Sequence, residues 1–146
     1  MAINTSKVVV GGLVAGIVMN VLGYLGQGML LGERMMSEMI AVAPSLEGRG
    51  MGTGVLTGRV LTQFAVGFLL VWLYAAMRPR FGPGMKTAAL AAFPVWLCGF
   101  LFYLDWLYLD MMSPTTYALM SIMMIIILLI AAGLGAMIYK EEGAAT

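Results

Sequence analysis

Residues 116–139 read TYALMSIMMIIILLIAAGLGAMIY, twenty-four positions without a charged side chain. An α-helix rises 1.5 Å per residue, so about 20 apolar residues cross the ~30 Å hydrocarbon core of a bilayer. Three further stretches have similar length: residues 8–31, 56–77 and 87–109. Only Arg59 and Asp105 place a charge inside them. The four stretches fill most of the chain. They predict an all-α integral membrane four-helix bundle, a single transmembrane domain over residues 1–146.

Composition supports that reading. Hydrophobic residues are 62% of the 146 and charged residues 10%, whereas soluble domains carry about 25% charged residues. So few charges could not cover a soluble core. The net charge of +1 gives no reason to invoke nucleic acid. The single cysteine, Cys98, rules out an intrachain disulfide. There is no histidine, so this chain supplies no imidazole for haem, metal or proton relay. Lys7 followed by an apolar run imitates a signal peptide, with Ala41-Val42-Ala43 as the cleavage site. A signal h-region is only about 7–15 residues; the first stretch is longer, and is expected to be a retained helix.

Positive residues orient the spans. One side carries Lys7, Arg78, Arg80, Lys86 and Lys140 against Glu141 and Glu142. The other carries Arg34, Arg49 and Arg59 against Glu33, Glu38, Glu47, Asp105 and Asp110. Both termini are therefore expected in the cytoplasm. The short loop over residues 78–86 is expected to stop the second span with its prolines and glycines. Its cations Arg78, Arg80 and Lys86 would anchor it at anionic headgroups. In the longest loop, residues 33–40 read either as a short interfacial helix ended by Pro44 or as a plain solvated loop. The glycines Gly48, Gly50, Gly52 and Gly54 would form a flexible approach to the second span. Phe100, Phe102, Tyr103, Trp106 and Tyr108 form an aromatic belt at one interface, and Trp72, Tyr74 and Tyr139 mark the other. Pro94 is expected to kink the third span.

In the first span, Gly12, Gly16, Asn20, Gly23 and Gln27 fall within an arc of roughly 80°. Lipid offers no hydrophobic drive for helix association, so close packing over small residues and side-chain hydrogen bonds take its place. This stripe is expected to face inward, with Gly12-x-x-x-Gly16 as a crossing point and Ala132-x-x-x-Ala136 as a counterpart in the fourth span. Gln27, Arg59, Gln63 and Asp105 lie at a shared depth, roughly 6 to 12 Å from the bilayer midplane. An ionisable group in the membrane is costly and usually pairs within the bundle. The expectation is a structural polar cluster: an Arg59–Asp105 ion pair with Gln27 and Gln63 hydrogen-bonded nearby.

Catalytic chemistry finds no support. Ser37, Ser45 and Ser113 have no histidine to activate them, and no nucleophile–base pair, phosphate loop or metal-ligand spacing is present. Met35, Met36, Met39, Met111 and Met112 could offer thioethers to a soft metal. Methionine is more often an adaptable packing residue, and no metal or cofactor is expected. In size the chain resembles small four-helix multidrug exporters. Those carry a membrane-embedded glutamate in the first helix, and here that helix is uncharged.

Two runs, Gly11-Gly12-Leu13-Val14-Ala15-Gly16-Ile17-Val18-Met19-Asn20 and Trp72-Leu73-Tyr74-Ala75-Ala76-Met77-Arg78-Pro79-Arg80-Phe81-Gly82-Pro83-Gly84, resemble segments of uncharacterised bacterial four-span integral membrane proteins. The resemblance covers the first two spans and the basic loop. It implies a bacterial inner membrane location and the same number of spans, with no activity or catalytic residue. The expected function is a non-catalytic, accessory membrane subunit, packed against lipid and other integral membrane subunits. The alternative is a small transporter or channel acting as a homo-oligomer.

Overall fold

The computed structural model describes residues 3–48 and 52–139, and among them every regular element is helical. Lys140, Glu141, Glu142, Arg49 and Gly50, which entered the charge and loop readings, lie outside the described residues. Helix α1 (Thr5–Gly23) runs on into a wider π-helical stretch, Tyr24–Leu30. A short helix α2 (Gly32–Val42) and one 3₁₀ turn (Pro44–Leu46) follow. Three long helices complete the chain: α3 (Thr53–Phe81), α4 (Met85–Tyr108) and α5 (Pro114–Ile138). Four helices are long and apolar enough to cross a membrane: α1 with its π extension, α3, α4 and α5. This is a multi-pass membrane protein.

Local chemistry explains most boundaries. Asn4 caps α1, its Oδ1 accepting from the Lys7 amide at 3.1 Å. Ser113 caps α5 and accepts from the Thr116 amide, with Pro114 in the first turn, where its fixed φ suits a helix start and its missing N–H costs nothing. Two boundaries differ from expectation. Helix α3 begins at Thr53, so Gly54 is helical and not part of a flexible approach. It also continues through Pro79 to Phe81. A proline this close to a helix end removes only one backbone bond. The stop comes instead from Gly82 and Gly84, whose φ of 81° and 119° suit glycine. At Pro94, α4 is continuous.

The bundle is closed at the end that holds the start of α1, the end of α5 and the α3–α4 turn. Backbones meet there over small residues. A methyl added to Gly67 of α3 would lie 2.8 Å from the Gly12 carbonyl oxygen of α1. One added to Gly11 would lie 2.8 Å from the Gly135 oxygen of α5. Around these contacts sit Ala15, Leu70, Val71, Ala88, Ala91, Ala92, Leu128 and Ala131, all essentially solvent-free. Tyr74 and Tyr139 do not mark a lipid interface, as expected for them, but are buried here. Their rings meet edge to face at 6.0 Å. The Tyr74 hydroxyl accepts from the Gly84 amide and that of Tyr139 from the Asn4 amide, both at 3.2 Å. A buried hydroxyl needs such a partner, and here the two tyrosines tie the interhelical turn and the first helix to the core.

The opposite end is looser. Fully buried residues in α3 are confined to Gly67–Ala75, and in α4 to Thr87–Ala92. The remaining half of each helix has none among the described residues. Of their most apolar stretches, 39% is buried in α1 and in α5, against 28% in α3 and 22% in α4.

Candidate functional site

Polar side chains collect at the looser end, in two groups. The first ties α2 to the start of α5. Glu38, one turn after Arg34 on α2, accepts through Oε2 from the Ser113 amide at 2.9 Å. Its Oε1 accepts from the Ser113 hydroxyl at 2.7 Å and from the Thr116 hydroxyl at 2.6 Å. Arg34 Nε donates to Thr116 Oγ1 at 2.6 Å and stands 3.6 Å from Glu38 Oε1. Thr116 is fully buried. A carboxylate on α2 thus serves the first turn of α5, where unpaired amides and the helix dipole favour negative charge. Burial pushes the Glu38 carboxyl up. The hydrogen bonds from Thr116 and Ser113, with the Arg34 charge, outweigh burial and hold it below its ordinary value of 4.5. The residues 33–40 that read as helix or loop are therefore helix, fastened by a carboxylate.

The second group joins α1 to α3. Arg59 donates from Nη2 to Gln27 Oε1 at 2.8 Å. Asn20 Nδ2 donates to its own helix at Gly16 O, 2.9 Å, and reaches Val60 O of α3 at 3.4 Å. Gln63 Nε2 lies close above Gly23, 3.0 Å from where a methyl would stand. Gly12 and Gly16 lie under the Phe68 and Phe64 rings of α3. The first-span residues Gly12, Gly16, Asn20, Gly23 and Gln27 thus meet one neighbour, α3, together with Arg59 and Gln63.

Asp105 is not in this group, and the expected Arg59–Asp105 ion pair is absent. Among the described residues the one ion pair is Arg34–Glu38. The reason is the order of the helices at this end: the Arg59 half of α3 lies on α1, whereas the Asp105 half of α4 lies on α5. Trp96 Nε1 donates to Ser121 O at 3.0 Å, the Tyr117 hydroxyl donates to Phe100 O, and the Phe100 and Tyr117 rings are 5.3 Å apart. No hydrogen bond or ring contact joins the two halves directly among the described residues. Asp105 is exposed.

The π-helical stretch had no forecast. It places Gln27 against Arg59 and brings Gly26 under the Met123 side chain of α5. Three glycines in six residues, Gly23, Gly26 and Gly28, were the sequence sign of weakened α-helical preference, and π segments often mark functional positions. Ser113-Pro114 is a helix-start pattern, but nothing in it points to Glu38 as the partner of that start.

The basic residues stand at the closed end. Arg78 lies over the Tyr139 ring, 5.7 Å from its centroid, and Arg80 over that of Phe81 at the same distance. Arg80 and Lys86 are exposed. Among the described residues no group of three or more histidine, cysteine, aspartate or glutamate side chains could hold a metal. Met39 and Met111 share a hollow of about 70 Å³ with Val42, Ala43, Leu46 and Trp106, an apolar seat under α2.

No protein-family model matches the chain, no curated protein is similar to it, and no solved structure resembles it.

Proposed function

We propose that this chain is a non-catalytic integral membrane subunit that packs within a larger membrane assembly. It lies in a bacterial inner membrane with both termini in the cytoplasm, as the charge balance and the sequence resemblance to bacterial four-span proteins suggest. The observation that carries the reading is the half-closed bundle. The helices seal tightly around glycine and alanine at one end, while the far halves of α3 and α4 hold no fully buried residue among the described ones. Phe102 and Tyr108 on α4 are 79% and 74% exposed. Lipid can cover such a surface, but so can protein, and aromatic side chains are favoured anchors in protein interfaces. The polar groups support the same role. Glu38, Ser113, Thr116, Arg59 and Gln27 hold helices together, and the Ser113 and Thr116 hydroxyls are engaged in tying Glu38 to the start of α5.

Gentle detergent extraction from native membranes, native electrophoresis and mass spectrometry of the band test this. A large band with stoichiometric partners is expected, and the partners would name the process. A small band containing this chain alone would overturn the subunit reading and favour a self-contained transporter.

A further inference from the structure

We propose that the surface left open by α3 and α4 is occupied by a second copy of this chain, joined by reciprocal Arg59–Asp105 ion pairs. The inference rests on the subunit reading and names the partner. Charge complementarity carries it. Arg59 and Asp105 are the two charges inside the apolar stretches. Neither has a counter-charge within its own chain among the described residues. Arg59 is half-buried with the Gln27 amide as its partner, and Asp105 is exposed. A charge at this depth usually pairs.

The two helices meet the geometric requirement. They are antiparallel neighbours joined by a short turn, so both open halves lie at the same end of the molecule. Asp105 stands on a continuous exposed face of α4 with Cys98, Leu101, Phe102 and Tyr108. A two-fold axis along the membrane normal, beside α3 and α4, sets each α3 against the partner's α4 and preserves depth. Arg59 lies about 9 Å from the start of α3 and Asp105 roughly 5 Å from the end of α4. The offset is within reach of a long arginine side chain. Such an interface is isologous, so one geometry satisfies both charges twice.

The test uses the full chain in phospholipid vesicles, labelled with donor or acceptor at Ser45→Cys in a Cys98→Ala background. Energy transfer that falls when unlabelled chain is added is expected. R59D and D105R should each reduce transfer to the level of random mixing, and the double variant R59D/D105R should restore it. R59D gives up the bond from the guanidinium to Gln27, so R59Q, which removes the charge alone, is measured beside it. Circular dichroism checks helicity. If D105R fails to insert, D105N and R59Q should each weaken transfer without abolishing insertion. Transfer at the random level in the parent chain, or transfer unchanged by charge reversal, overturns the proposal. If native membranes meanwhile yield an assembly that holds a single copy of this chain beside other proteins, the second copy fails as occupant and the subunit reading stands.

Discussion

The two ends of this bundle solve helix association differently. At the closed end glycine and alanine let backbones touch, and contact is dispersion over close surfaces, the means available when lipid offers no hydrophobic drive. At the α2 end the contacts are separate polar ties: a carboxylate on a helix start, an arginine on a glutamine, an indole on a carbonyl. The first kind tolerates no added volume. The second can be removed one bond at a time. The closed end is thus the chain's own fold, and the α2 end is where it remains open to change or to a partner.

Substitutions that add volume should separate the two ends most strongly. Gly67→Leu should cost about 3 kcal/mol or more of bundle stability, because the side chain would displace the α1 backbone. Gly58→Ala, in the open half of the same helix and with nothing within 4 Å of an added methyl, should be neutral or stabilising by up to about 1 kcal/mol. Reversible unfolding in mixed micelles would measure both. Equal losses at the two positions would erase the contrast.

The latch should come next. Glu38→Gln loses a charged acceptor for two hydroxyls and one amide, worth about 1.5–3 kcal/mol. Amide exchange in α2 and the first turn of α5 should quicken, while the closed end is unchanged. The latch should also follow pH. Because its folded value is depressed, Glu38 contributes stability that is full above 4.5 and is lost as pH falls through the lower folded value. Exchange in α2 should therefore rise only below pH 4.5, and E38Q should flatten that response. The smallest effect belongs to the polar ties within the membrane. Trp96→Phe removes the bond to Ser121 and should cost about 1 kcal/mol, confined to α4 and α5.

Much of this arrangement was legible because bilayers impose simple rules. Span length and the glycine stripe of α1 depend on neighbours within one helix. The failures involve contacts between helices. The shared depth of Arg59 and Asp105 was readable, but depth does not say which helix a side chain rests on, and at this end α3 rests on the first span while α4 rests on α5. Tyr74 and Tyr139 looked like interface markers by position along the span. Their hydroxyls instead serve backbone amides at the closed end, a choice visible only once the α3–α4 turn is folded beside them. The Glu38 latch joins residues 75 and 78 positions apart, beyond any local pattern.

The most direct test of the open half is photocrosslinking in native membranes, from a photoreactive phenylalanine at Phe102 with a control at exposed Ile17 of α1. An assembly surface on α4 predicts a discrete protein adduct from position 102 and lipid adducts from position 17. Lipid adducts alone from both positions would contradict it and leave the far half of α4 as bilayer-facing surface.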